Sequence, residues 1–198
     1  MAYSGIILAG GKGSRMGYRE KALIDMNGRP LIQYVILSLE KVVDNIIISV
    51  RDREQGEMLR SRLPGYVLAY DVYENIGPLS GILSGLLASR DDYCFIAACD
   101  MPFINENVVK MLFKKCVDKD AAIPRWNDGS LEPLHAVYRR EPMIRETKKA
   151  IHAGETIIIA PILKLDASYV STEDLKKIDP DLITFKNINS PEDMLQTF

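Results

Sequence analysis

The sequence predicts an α/β fold in three layers, a mostly parallel sheet covered by helices on both faces. Apolar β-rich runs alternate with helical patterns along the chain, which is the arithmetic of βαβ units. The runs NIIISV (45–50) and YCFIAAC (93–99) lack the polar alternation of a half-exposed strand, as strands buried on both faces do. The chain has 198 residues, 47% hydrophobic and 26% charged, enough for one compact domain with a sizeable core. In such sheets ligands sit beyond the carboxyl ends of the strands.

The elements follow in order. GIILA (5–9) is a strand, LIQYVILSLEKVV (31–43) a helix, NIIISV a strand and 54–62 a helical stretch. YVLAY (66–70) and YCFIAAC are strands around the helical PLSGILSGLLAS (78–89). In NENVVKMLFKKCV (105–117), Val108, Val109, Leu112, Phe113 and Cys116 fall at helical spacing, with Asn105 as cap. A short strand DAAIP (120–124), a loop RWNDGSLEP (125–133) and a strand LHAVYR (134–139) come next. EPMIRETKKAIHAG (141–154) reads as a helix stopped by Gly154, and Ser190, Pro191 and Asp193 read as a helix start. No linker, repeat or low-complexity tract interrupts the chain.

A formal net charge of −2 gives no global basic field, so nucleic acid is not expected as the principal partner. Cys94, Cys99 and Cys116 are odd in number, form no CxxC pair and sit in apolar surroundings, which suits buried thiols rather than a disulfide framework or zinc site. No run reaches the ~18 apolar residues that span a bilayer, and no signal-like stretch opens the chain, so no membrane association and a cytoplasmic location are expected. His135 and His152 are far apart without a partner at metal-ligand spacing, and His135 reads as structural.

The chemistry is concentrated in IILAGGKGSRMGYREK (6–21), where the first strand stops at a glycine-rich, basic loop. Gly10, Gly11, Gly13 and Gly17 let main-chain N–H groups approach anionic oxygens, and Lys12, Arg15, Arg19 and Lys21 supply countercharge. The glycines also suit a bare strand-to-helix connection. Neither G-x-G-x-x-G nor G-x-x-x-x-G-K-[ST] fits, and Arg51 follows NIIISV where an NAD site needs an acid. The YCFIAAC strand ends at Asp100, so topology can bring both strand ends to one edge. One carboxylate alone does not mark a metal site, and a helix cap or turn acid is the plain reading of Asp100.

LAGGKGSRMGYREKALIDMNGRPLI resembles the opening of nucleotidylyltransferases, most closely the molybdenum cofactor guanylyltransferases with their LAGG-x-S-x-RMG-x-DKAL pattern. Arg15, Met16, Gly17 and Lys21 match; Glu20 stands where the family usually has aspartate. GPLSGI (77–82) resembles the family's GPL-x-GI segment, and also reads as a helix start with Pro78 first. CDMPF (99–103) resembles the D-x-P element whose aspartate binds magnesium, and FKNINSPEDM resembles F-x-NINTPEDL. PLHAVY (133–138) is similar to PL-x-AL-Y, with Glu132 where glutamine is common. Arg125 and Trp126 suit a cleft lining or an exposed loop equally.

The resemblance covers Ile6 to Leu195, with 141–180 carrying nothing diagnostic. It implies a three-layer αβα, Rossmann-like nucleotidyltransferase fold, with a nucleotide half (about 1–104) and an acceptor half (about 105–198). It implies Mg-dependent transfer of GMP from GTP to the phosphate of molybdopterin, releasing pyrophosphate. Lys21, Arg15 and Asp100 would be catalytic, and Asp100 the metal ligand. Leu8, Ala9, Gly10, Gly11, Lys12, Gly13, Lys21, Asp71, Gly77, Pro78, Leu79 and Asp100 would bind nucleotide, Asp71 near the guanine although its spacing is one residue shorter than in the family. Asn187 and Asn189 would meet the acceptor. GTP and molybdopterin are the implied partners, with transient contact with cofactor-delivery proteins a further expectation. The rivals are a related enzyme that uses CTP or UTP with molybdopterin, a sugar phosphate or a polyol phosphate, and a nucleotide-binding adaptor without turnover.

Overall fold

The computed structural model describes residues 2–13, 19–74, 76–189 and 193. Its central sheet has seven strands: β1 Tyr3–Leu8, β2 Asn45–Val50, β3 Val67–Tyr70, β4 Tyr93–Ala98, β5 Ala121–Arg125, β6 His135–Arg139 and β7 Ala167–Ser171. The spatial order is β7-β5-β6-β4-β1-β2-β3. β6 pairs antiparallel with β4 and β5, and the other pairings of this sheet are parallel. The reversal has a local cause, because the loop 126–134 is too short for the crossover of about a dozen residues that a parallel pair needs.

The helices are α1 Leu31–Leu39, α2 Arg53–Arg62, α3 Pro78–Ala88, α4 Glu106–Lys115, α5 Arg140–His152, α6 Ile159–Ile162 and α7 Thr172–Leu175. Neighbouring strand residues feed opposite cores, which explains the missing polar alternation. Ile7, Ile48 and Phe95 pack with Val35, Leu59, Leu112 and Leu175, so α1, α2, α4 and α7 cover one face. Ile6, Ile47 and Ile96 pack with Ile82, Leu86, Met143 and Ile162, so α3, α5 and α6 cover the other. At about 25 cal/mol per Å² of apolar surface removed from water, these two cores supply the main stabilising term.

The expected elements are present within a few residues of their predicted ends. Asn105 caps α4, its side-chain oxygen accepting from the Asn107 amide at 2.9 Å. Gly154, at φ +80, ends α5. All three cysteines are free and buried. The additions are α6, β7 and α7 in the stretch that carried no motif, and two small ribbons, Lys12–Gly13 with Arg19–Glu20 and Asp25–Met26 with Arg29–Pro30. The second ribbon turns at Asn27 (φ +54) and Gly28 (φ +80), the left-handed pair of a type I′ hairpin. The expected helix start at Ser190 and Pro191 lies outside the described residues. Among the described residues no helix is long and apolar enough to cross a membrane.

Candidate active site

Parallel pairing brings four strand ends to one rim. The ladder continues past the strands there: Ala9 N donates to Ser49 O at 2.9 Å, Cys99 N to Leu8 O at 3.1 Å, and Asp71 N to Val50 O at 3.0 Å. The rim therefore carries Ala9 and Gly10 after β1, Arg51 after β2, Asp71 after β3 and Asp100 after β4. These strand ends surround a cleft of about 490 Å³, whose lining includes Gly10, Gly11, Lys21, Arg51, Asp71 and Asp100.

Lys21 opens a single 3₁₀ turn, Lys21–Leu23, as the glycine loop closes. Its ammonium is in direct contact with Asp100 Oδ2 and donates to Asn189 Oδ1 at 2.7 Å. The last segment is held in place by Ile188 N, which donates to Asp100 O at 2.9 Å, and by Asp193, whose Oδ2 accepts from Asn189 N at 2.7 Å. The other carboxylate oxygen of Asp100, Oδ1, is buried and has no hydrogen-bond partner among the described residues. Asp100 lines the cleft, and a carboxylate with an oxygen left over fits the requirement of Mg²⁺ for one or two protein carboxylates, the remaining ligands being water and phosphate. No cluster of three or more metal-ligating side chains occurs among the described residues.

On the other side of the cleft, Asp71 also has a buried Oδ1 without a partner among the described residues. Burial pushes its carboxyl pKa up to about 6, and the Arg51 charge offsets part of that rise. Ser80 and Ser84 of α3 hold the 71–73 stretch, their hydroxyls accepting from Tyr73 N and Val72 N, each at 3.0 Å. Gly77, at φ +67, lets the chain enter α3 with Pro78 in its first turn. Gly81 keeps the floor open, since a Cβ there would stand 3.0 Å from Ser49 Oγ and 3.6 Å from Asp71 Oδ1.

Leu8, Gly10, Gly11, Lys21, Asp71, Gly77, Pro78 and Asp100 all line this cleft, as Ser49, Gly81 and Leu134 also do. Ala9 lies fully buried behind it, and Lys12 and Gly13 form one side of the small ribbon. Leu79 is fully buried in the α3 core rather than at the cleft wall. Asn189 reaches the Lys21–Asp100 contact; Asn187 is exposed and does not line the cleft. Arg15 lies outside the described residues.

Two residues given no role in the sequence reading occupy central positions. The Arg51 guanidinium donates to Glu20 and Asp52, each at 2.8 Å, and to the Gly10 carbonyl at 3.3 Å. Burial works against that charge, and the bonds to Glu20 and Asp52 more than restore it, raising the pKa. Gln55 is fully buried; its amide donates to Ala9 O at 2.8 Å and to Glu20 at 2.6 Å, while its oxygen accepts from Arg51 N at 2.8 Å. The D-x-x-Q spacing of Asp52 and Gln55 at a helix start was the available signal, and Asp52 does cap α2 by accepting from Gln55 N at 2.8 Å.

Farther along the rim, Trp126 donates to Glu132 at 2.7 Å and its ring leans on Phe185. His135 is fully buried between Phe95 and Phe185, with Nε2 3.1 Å from Thr184 Oγ1, and burial drops its pKa to about 3. That is the structural role its sequence context suggested.

A family model described as a MobA-like NTP transferase domain matches residues 5–165. A protein of Methanosarcina mazei named "Probable molybdenum cofactor guanylyltransferase" is 42% identical over 96% of this chain and 88% of its own length. Among solved structures, molybdopterin-guanine dinucleotide biosynthesis protein A from Archaeoglobus fulgidus superposes with a TM-score of 0.82 at 34% identity, covering 98% of this chain and 95% of that one. A 4-diphosphocytidyl-2C-methyl-D-erythritol synthase from Anaerococcus prevotii shares the fold at a TM-score of 0.72 and 15% identity, over 98% and 95% of the two chains. A glycine loop whose closing lysine meets the aspartate of the neighbouring strand, on a chain matched this extensively, places the protein in the MobA-like NTP transferase family.

Proposed function

We propose that this protein is a molybdenum cofactor guanylyltransferase, moving GMP from GTP onto the phosphate of molybdopterin and releasing pyrophosphate. The observation that carries the reading is the meeting of Lys21 and Asp100 at the cleft below the glycine loop, with Asp100 Oδ1 left without a partner among the described residues. The names of the relatives support the same activity.

Residues 1–104 would hold the nucleotide. The Gly10–Gly11 backbone and Lys21 face the triphosphate, and Arg15 is assigned the same task from the resemblance alone. Asp100 would hold Mg²⁺, which when bound supplies charge neutralisation at the phosphates. An oxygen of the molybdopterin phosphate forms a bond to the α-phosphorus of GTP, while the bond from that phosphorus to the bridging oxygen breaks and pyrophosphate leaves. Lys21 stabilises the charge on the phosphoryl oxygens in flight. No general base is required, because the acceptor phosphate is already anionic at neutral pH.

Asp71 supports guanine as the base. A carboxylate accepts the adjacent N1–H and N2–H donors of guanine together, whereas cytosine and uracil each place an acceptor beside their donor. Residues 105–198 would take the acceptor, with Asn187 and Asn189 on that side and Asn189 also gripping Lys21. We place the reaction in the cytoplasm, consistent with three unpaired cysteines, and expect cofactor-delivery proteins to make transient contact. A pyrophosphate-release assay with Mg²⁺, molybdopterin and each nucleoside triphosphate tests the reading. Release with GTP well above CTP, UTP and ATP is expected; release with CTP alone would move the protein to cytidylyl transfer.

A further inference from the structure

We propose that Gln55, acting with Arg51 and Glu20, is a positioning residue that clasps the two ends of the phosphate loop shut before nucleotide arrives. The loop leaves β1 at Ala9 and Gly10 and returns at Glu20, and its arms are zipped by the ribbon that pairs Lys12 with Glu20. Both ends are tied to the first turn of α2. Gln55 bridges them through one amide nitrogen, donating to Ala9 O at the exit and to Glu20 at the return. Arg51 repeats the bridge in parallel, donating to Gly10 O and to Glu20.

Three features separate this arrangement from ordinary surface pairing. Gln55 is 0% exposed, and its side-chain oxygen is also engaged, by the Arg51 amide. A buried amide bonded in this way has one geometry, and a network of this kind loses more than one bond when one member goes. The Glu20 carboxylate sits at the return of a loop meant for anions, where it would repel them; both of its oxygens are occupied by the clasp, and the Arg51 charge balances it. Among the described residues no clasp side chain is hydrogen-bonded to Lys21 or Asp100, and Glu20 is the residue before Lys21, so the clasp acts through the loop backbone. Ends fixed in advance spare the nucleotide the ordering cost of shaping them.

The inference rests on the reading of this cleft as a nucleoside triphosphate site, and the test keeps the two apart. Full-length wild type, Gln55→Met, Glu20→Gln and Glu20→Asp are titrated calorimetrically with GTP and Mg²⁺. Amide hydrogen exchange at residues 10–13 is followed without nucleotide. Gln55→Met and Glu20→Gln should bind GTP at least tenfold more weakly and exchange at least tenfold faster at residues 10–13. Glu20→Asp, which keeps both carboxylate oxygens, should bind within about threefold of wild type. Lower melting temperatures with GTP affinity and exchange both unchanged would overturn the clasp and leave Gln55 merely structural. Should Gln55→Met fail to fold, Glu20→Gln, altered at a partly exposed side chain, decides the matter alone. Wild type that binds no nucleoside triphosphate would overturn the nucleotide reading instead, and the exchange arm would still decide the clasp.

Discussion

The ammonium of Lys21 rests against the carboxylate of Asp100, two residues 79 positions apart, and Asn189 supplies a second acceptor to the same nitrogen at 2.7 Å. The side chains of Lys21 and Asp100 are only 17% and 14% exposed, so the contact lies in a setting that strengthens electrostatics. It ties the glycine loop, the end of β4 and the C-terminal segment into one centre.

Lys21→Ala should lower guanylyl transfer by two orders of magnitude or more, since removing a preorganised charge contact costs about 3 kcal/mol. Steady-state rates measured beside a thermal melt check this. Near-normal turnover in a folded variant would remove Lys21 from its assigned role.

Asp100→Asn keeps the size of the side chain and the backbone bond to Ile188, but neutralises the proposed metal ligand. Activity should fall and its Mg²⁺ titration should shift to higher metal concentration. An unchanged titration midpoint would return Asp100 to a purely structural part.

Asn189→Ala and Asn187→Ala should separate two roles. Asn189 holds the Lys21 ammonium, and losing a hydrogen bond to a charged group costs about 1.5 to 3 kcal/mol, so kcat should drop roughly tenfold to a hundredfold. Asn187 is exposed and away from the cleft, so its variant should leave kcat near wild type and change at most the KM for molybdopterin. Equal effects on kcat would contradict the division.

Asp71 makes a pH prediction. Its carboxyl titrates near 6 in the folded protein because burial disfavours the charge. Below that pH it gains a proton and loses acceptor capacity, so the KM for GTP should rise as pH falls through about 6. A carboxylate pKa raised by folding means the native state binds more protons than the unfolded chain between about pH 4 and 6. The charged form therefore weakens the fold above pH 6, and Asp71→Asn should flatten the acid limb of the KM profile while raising the melting temperature at neutral pH. A KM for GTP in the wild type that is flat from pH 5 to 7 would refute this assignment.

Gly85→Ala tests the packing that seats α3. A Cβ at Gly85 would lie 2.3 Å from Ile6 Cγ2, in the middle of a closed core. Overpacking of this kind costs about 1 to 3 kcal/mol, readable as a lower denaturant midpoint. An unchanged midpoint would mean that α3 is freer to shift than its burial indicates.

The strands and long helices were legible because their signals are local: NIIISV and YCFIAAC carry no polar alternation, and Asn105 announces α4. The rim was legible because the strand ending at the glycine loop and the one ending at Asp100 proved to be direct neighbours. β7 was not, since ASYVS is an edge strand with one buried residue, Val170, and little apolar pattern to read. Gln55 and Arg51 stayed hidden for another reason. Their partners in the glycine loop lie 31 to 46 positions away, and only β1–β2 pairing brings α2 under the loop. The grip of Asn189 on Lys21 spans 168 positions and left no trace in the spacing.

The product of the proposed reaction can be weighed. Wild-type protein incubated with molybdopterin, Mg²⁺ and an equimolar mixture of GTP, CTP, UTP and ATP should yield, by mass spectrometry, the guanine dinucleotide form of the cofactor as the main product, with the Lys21→Ala variant yielding little. A cytosine dinucleotide as the main product, or nucleotide transfer to none of the molybdopterin, would contradict it.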